Sequence, residues 1–219
     1  MKVNFKYAVF DMDGTLLDTM DYWRNIVDYY AEMNNLPKPN ISEEDAVVAA
    51  HLTTYKKIRY IKERYYDEAV KRVTTDDVFD VMEYCYKSGS KPRNGVVEML
   101  ETLKQNGIRM CVASATPTYL VEIALKEAGI YDYFEFLLSP TEYPKGKIDP
   151  EIFYGAAERF GCDVTEMALF EDTLYSIKTA HSIGMYIIAV YEKYADHLTD
   201  KIKSLSDEYY TEFTEFRLN

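Results

Sequence analysis

In the stretch VFDMDGTLLDTM, residues 9–20, two aspartates stand two apart at the end of an apolar run, and glycine and threonine follow them. Val9 and Phe10 read as the end of a buried strand. Asp11 and Asp13 then fall at its carboxyl end on one face, because side chains at i and i+2 of a strand share a face. Two like charges held close are unfavourable unless a cation or a proton relieves them, so the stretch asks for a metal, a proton to move, or both. Other groups of the same kind close other apolar runs: Ser114 ends RMCVAS, and Glu171 with Asp172 ends MALFED. Lys147 lies in the loop ahead of DPEIFYGAAERFG. Carboxylates gathered at one rim can hold Mg²⁺, a hard cation that takes oxygen ligands, and the ion would shield a phosphoryl group from the acids around it. One carboxylate can attack phosphorus, and a second can protonate the leaving oxygen and later deprotonate water. Lys147 would offset the surplus negative charge, Ser114 can donate to a phosphoryl oxygen, and Gly14 lets the backbone turn sharply.

The elements that must position these groups come in two textures. From Asp21 to about Ser88 the chain reads as helices only. DYWRNIVDYYAEMNN places Trp23, Ile26, Val27 and Tyr30 at helical spacing, and the prolines of LPKPN break it. ISEEDAVVAA opens on Ser42 with Asp45 three residues on, a capping pattern with Asp in place of Glu. TTYKKIRYIKERYYDEAV and TTDDVFDVMEYCYKSGS continue helical, the second through Val78, Val81, Met82 and Cys85 to Gly89. From Pro92 onward, strands IRMCVAS, FEFLLS, MALFED and MYIIAV alternate with helices, and YAVFD joins the same sheet. This predicts an α/β fold: a doubly wound parallel sheet formed by residues 1–18 and 89–219, with an all-helical domain of residues 19–88 inserted after the first strand. Active sites in such sheets lie outside the carboxyl ends of the strands, where the acids, Ser114 and Lys147 are expected.

Composition narrows the class. With 219 residues the chain can bury a full core. A formal net charge of −12 argues against nucleic acid as a partner, although a metal and a lysine can reverse the field within one pocket. The scattered Cys85, Cys111 and Cys162, with no CxxC, fit reduced core thiols in a cytoplasm. No signal peptide or transmembrane span is expected, nor are repeats. The tyrosine pairs 29–30, 65–66 and 209–210 read mostly as half-buried helix surface.

The segments DMDGT (11–15), VASA (112–115), GKIDPEIF (146–153) and FEDTLYSIKTA (170–180) resemble the motifs of the haloacid dehalogenase superfamily, in order, over essentially the whole chain. The likeness is to its branch of phosphatases and phosphomutases with a helical cap, a Rossmann-like core carrying an inserted cap domain. That resemblance implies Asp11 as nucleophile and Mg²⁺ ligand, and Asp13 as general acid/base with its backbone carbonyl on the metal. It implies Ser114 and Lys147 on the phosphoryl group, Asp172 completing the metal site with Glu171 as ligand or partner, and Thr15 bracing the loop. Three positions depart from the pattern: Ile148 stands where proline is common, Ser176 where glycine is common, and the cap loop AAHLTTYKK has no glycine.

Plainer readings compete. The aspartates could form a solvated turn, Ser114 could cap a helix ahead of Pro117, Lys145 competes with Lys147, and Glu171 or Asp172 could cap TLYSIKTA. His51, Tyr55 and Lys56, with Thr53 and Thr54, are candidates to contact the leaving group, or else belong to an ordinary interhelical turn. His181 and His197 read as surface. The expected function is Mg²⁺-dependent hydrolysis of a small organic phosphate monoester through an aspartyl-phosphate, by a monomer or weak homo-oligomer. The alternatives are a phosphomutase of the β-phosphoglucomutase kind and a catalytically inactive binding protein on the same fold. A dehalogenase has no use for the Asp13 proton donor, and a phosphonate hydrolase needs a cap lysine placed for a Schiff base.

Overall fold

The computed structural model describes residues 5–50, 52–74 and 77–218. The chain divides into two compact units, one of Met1–Asp18 with Ser90–Asn219, the other of Thr19–Gly89.

The first unit is built on a sheet of parallel strands: β1 (Tyr7–Phe10), β2 (Arg109–Ala113), β3 (Leu137–Leu138), β4 (Met167–Glu171), β5 (Tyr186–Val190) and β6 (Glu208–Tyr210). Their order is β3-β2-β1-β4-β5-β6. β1 therefore lies between β2 and β4, with Phe10 level with Val112 on one side and Phe170 on the other. Helices cover both faces, so the inner strands are nearly continuous apolar runs. Val9, Cys111, Leu169 and Ile187 pack with Ile152 and Phe153 on one side. Phe10 and Phe170 stack at 4.3 Å, and Phe134, Phe213 and Phe216 pack on one or other of these rings.

The strand FEFLLS is paired only at Leu137–Leu138, and β6 was not foreseen. Three residues, EYY, carry no period, and only pairing with β5 makes them a strand. Tyr209 and Tyr210 therefore lie on a sheet edge and not on a helix.

The second unit is all helical: α1 (Met20–Arg24), α2 (Ile26–Met33), α3 (Glu43–Ala50), α4 (Thr54–Tyr65), α5 (Glu68–Val73) and α6 (Val78–Lys87). Its core gathers Ile26, Val27, Tyr30, Ile58, Ile61, Val81, Met82 and Cys85. Two helices expected as continuous are divided. Asn25 leaves helical geometry between α1 and α2, leaving Trp23 half-buried. Tyr66 turns extended ahead of α5, where Asp67 accepts from Val70 N and starts a new helix. Ser42 Oγ accepts from Asp45 N at 3.2 Å as the capping pattern requires. The Asp45 carboxylate does not reciprocate but takes Tyr60 Oη at 2.5 Å, Tyr65 Oη at 2.7 Å and Arg64 at 2.9 Å.

Helices of the first unit return between strands: α7 (Val96–Gln105), α8 (Thr118–Glu127), α9 (Glu151–Phe160), α10 (Leu174–Ser182) and α11 (Thr199–Lys203). Among the described residues no helix is long and apolar enough to cross a membrane.

Candidate active site

β1 lies between β2 and β4, so Asp11, Ser114 and Glu171 emerge side by side at one rim, where the strand order reverses between β1 and β4. β1 ends at Phe10, but Asp11 N still donates to Phe170 O at 2.9 Å, which fixes Asp11 against the end of β4. Beyond it the chain turns. Leu16 N and Leu17 N both donate to Met12 O, and Gly14 adopts φ +88, a conformation that side chains with a Cβ rarely take. The strand-alternation argument for Asp13 thus fails, because a turn and not a strand sets its direction. Asp13 is half-buried, and its Oδ2 accepts from Thr116 Oγ1 at 2.8 Å.

Lys147 is drawn inward by a short 3₁₀ turn, Gly146–Ile148, and is only 2 % exposed. Its ammonium donates to Asp11 Oδ1 and, at 2.7 Å, to Glu171 Oε2. Lys145 is exposed and pairs with Asp149 at 2.8 Å, so burial separates the two lysines. Glu171 uses its other oxygen at the start of α10, accepting from Asp172 N at 3.1 Å, Thr173 N at 3.0 Å and Thr173 Oγ1 at 2.8 Å. These bonds brace the loop into α10 and do not cap it: the N-cap is Thr173, and no side chain there accepts from the helix's first N–H groups. Thr15 Oγ1 donates to Asp172 Oδ1 at 2.8 Å, tying the first loop to the fourth strand's end. Ser114 is buried, and its Oγ accepts from Thr116 N at 3.0 Å.

Asp11, Glu171 and Asp172 are all buried, and each offers a carboxylate oxygen within 4.8 Å of the others. One ammonium cannot balance three carboxylates. Burial first, then the charge of Glu171, push Asp11 up to about 7 against the pull of Lys147. Burial, Glu171 and Asp11 hold Asp172 well above the usual carboxylate range. Burial opposes the ionised form of Glu171 too, but attraction and hydrogen bonding from Lys147 prevail and keep it below its ordinary value. Burial alone would lower Lys147, and Asp11 with Glu171 more than reverse this. A cluster of hard oxygen donors with excess negative charge, without sulfur or imidazole, fits a divalent cation of the Mg²⁺ class.

Thr116, Thr173 and Arg93 were missed from sequence. Thr116 lies one residue beyond VASA, and only its hydroxyl two positions after Ser114 could have signalled it. The Ser176 hydroxyl, at a departure from the family pattern, is fully buried. It lies close enough to Glu171 to favour the ionised form, though outside hydrogen-bond geometry. His51 lies outside the described residues, as does the side chain of Tyr55. Lys56 is exposed on α4, as are His181 and His197 elsewhere.

Residues 8–190 match the family described as haloacid dehalogenase-like hydrolase. A phosphoglycolate phosphatase of Thiobacillus denitrificans is 28% identical over 202 residues, covering 84% of this chain and 82% of its own. A beta-phosphoglucomutase of Bacillus subtilis is 26% identical over 204 residues, covering 84% and 83%. The crystal structure of a beta-phosphoglucomutase from Clostridium difficile superposes with a TM-score of 0.67 at 17% identity, over 97% of this chain and 93% of that one.

Proposed function

The chain belongs to the haloacid dehalogenase-like hydrolases, and on that premise we propose that it hydrolyses a small organic phosphate monoester through an aspartyl-phosphate formed on Asp11. The observation that carries this reading is the buried array Asp11–Lys147–Glu171–Asp172, in which one carboxylate stands at a strand end between a fixed cation and two further acids. Asp11, Glu171 and Asp172, with the Asp13 carbonyl, would hold Mg²⁺, which when bound offsets the charge of the phosphoryl group and its acid surroundings.

The chain's own groups do the rest. Lys147 orients the Asp11 carboxylate and adds positive charge beside the transferring group. Ser114 donates to a phosphoryl oxygen. Asp11 Oδ attacks phosphorus and the ester P–O bond breaks; the leaving alkoxide takes the proton of Asp13. Asp13 then removes a proton from water, whose oxygen attacks the aspartyl-phosphate, releasing phosphate and restoring Asp11. The helical unit Thr19–Gly89 acts as the cap that selects the leaving group, with His51, Tyr55 and Lys56 as candidate contacts.

The near-equal likeness to a beta-phosphoglucomutase supports a second reading, in which the phosphoenzyme returns its phosphoryl group to another hydroxyl of the sugar instead of to water. One assay separates them: phosphate release across a panel of phosphorylated metabolites with Mg²⁺ or EDTA, run beside conversion of β-glucose 1-phosphate to glucose 6-phosphate. Hydrolysis predicts Mg²⁺-dependent release that Asp11→Asn abolishes while the fold, read by circular dichroism, is kept. Near wild-type release by Asp11→Asn sinks the assignment, and isomerisation without release selects the mutase.

A further inference from the structure

We propose that Arg93 is a positioning residue: by bridging the backbone carbonyls of Gly14 and Tyr191, it sets the turn from which Asp13 and Thr15 act. The proposal rests on the reading of those two residues given above.

Arg93 follows the point where the chain re-enters the α/β unit at Ser90. Its backbone N donates to Leu16 O at 2.9 Å, Asp18 N donates to Lys91 O at 3.2 Å, and Leu17 pairs antiparallel with Pro92. The returning segment is thus already held along residues 16–18 by backbone bonds. The side chain adds something different. It is 15 % exposed, and its Nη1 donates to Gly14 O while Nη2 donates to Tyr191 O at 2.6 Å. Glu192, itself buried, stands 3.8 Å away and balances the charge. A guanidinium taken this far out of water is costly unless its donors are met. Here two of them are spent on carbonyls, one belonging to the residue between the candidate acid and the bracing threonine.

The consequence is geometric. Gly14 has no Cβ and sits at φ +88, so its peptide is the softest point of the loop. Rotation there would swing Thr15 Oγ1 off Asp172 on one side and Asp13 off Thr116 on the other. Anchoring the Gly14 carbonyl to the end of β5 removes that freedom. The planar fork of arginine reaches two carbonyls at once, which a lysine ammonium on its single stem does not reproduce.

A cavity of about 490 Å³, lined in part by Arg93, Tyr191 and Glu192, gives small solutes access to this place. The test therefore uses Arg93→Ala and Arg93→Lys with three readouts. Amide exchange should rise in residues 11–18 and 191–193 and stay unchanged in β4. With an alkyl phosphate kcat should fall on the order of 10²-fold, as for a misplaced reacting group, with KM little moved. Ethylguanidinium, and not ethylammonium, should restore kcat to Arg93→Ala. Unchanged exchange at 11–18, wild-type kcat in Arg93→Lys, or a loss that ethylguanidinium does not repair would overturn the proposal. Should Arg93→Ala fail to fold, Arg93→Lys keeps the charge beside Glu192 and decides alone. If the wild-type protein turned over no ester, the functional reading would fall, and amide exchange would still decide the role of Arg93.

Discussion

A lysine as buried as Lys147 owes its charged state to Asp11 and Glu171, and Glu171 owes its own to Lys147. Removing one partner of such an array leaves uncompensated charge behind. Lys147→Met in EDTA should therefore lose about 3–5 kcal/mol of stability, read by urea denaturation. Mg²⁺ should recover part of this loss, because a divalent cation supplies the missing positive charge; a melt unaffected by the ion would count against the carboxylates as its site. The same groups give the metal-free protein a pH dependence. Asp11 is raised from 3.8 to about 7 on folding, so the stability it contributes is complete below pH 3.8 and is lost as pH rises through 7. Asp172 is raised as well and acts in the same sense. Glu171 is lowered, so its contribution is lost only as pH falls below its ordinary value and does not enter this window. In EDTA the thermal midpoint should fall between pH 5 and 8, and Mg²⁺ should restore it most at the upper end, where binding has no proton to displace. A midpoint that rises across this range in EDTA would contradict the burial of these acids.

At the scale of elements, positions away from the rim decide whether the rim forms. Gly95, the residue just ahead of α7, adopts φ +81 and lies directly against the turn at Phe213–Glu215: a Cβ there would stand 2.1 Å from Thr214 N and 2.3 Å from Phe213 C. The obstacle is backbone, not a side chain that could swing aside. Gly95→Ala should thus destabilise by strain at a positive φ, about 1–3 kcal/mol, and by displacing the Phe213–Phe216 segment from its packing on Phe170. Phe170 lies next to Glu171, so the change should also weaken phosphate release. Full stability with full activity in Gly95→Ala would show that the terminal segment shifts freely.

For the molecule as a whole, the phosphoryl-handling candidates Asp11, Asp13, Ser114, Lys147, Glu171 and Asp172 all belong to the α/β unit. Those groups meet what every phosphate ester shares. What differs between esters is the leaving group, and under the proposed function its recognition is assigned to the helical unit. Lys56→Ala, an exposed position on α4, should reorder a substrate panel while leaving the Mg²⁺ concentration for half-maximal activity unchanged. The reverse pattern, altered metal dependence with an unaltered ranking, would remove Lys56 from substrate choice.

The sequence alone determined that strands would alternate with helices after Pro92, that a helical block would precede them, and that acids, a serine and a lysine would gather at strand ends. It could do so because these features are local: buried parallel strands are continuous apolar runs, and DMDGT, VASA, GKIDPEIF and FEDTLYSIKTA are contiguous. Tertiary structure decided the rest. Of two lysines two residues apart, the sequence favoured Lys147 only through the likeness of GKIDPEIF, and burial against Asp11 and Glu171 is what physically separates it from the exposed Lys145. β6 exists because β5 offers it an edge, and the breaks at Asn25 and Tyr66 interrupt segments whose apolar spacing continues through them. Thr116 and Arg93 matter through bonds spanning 103 and 79 residues, to Asp13 and to Gly14. A hydrogen bond between distant segments leaves no periodicity in either one, so only the folded chain, which brings both ends of the bond to one place, could disclose them.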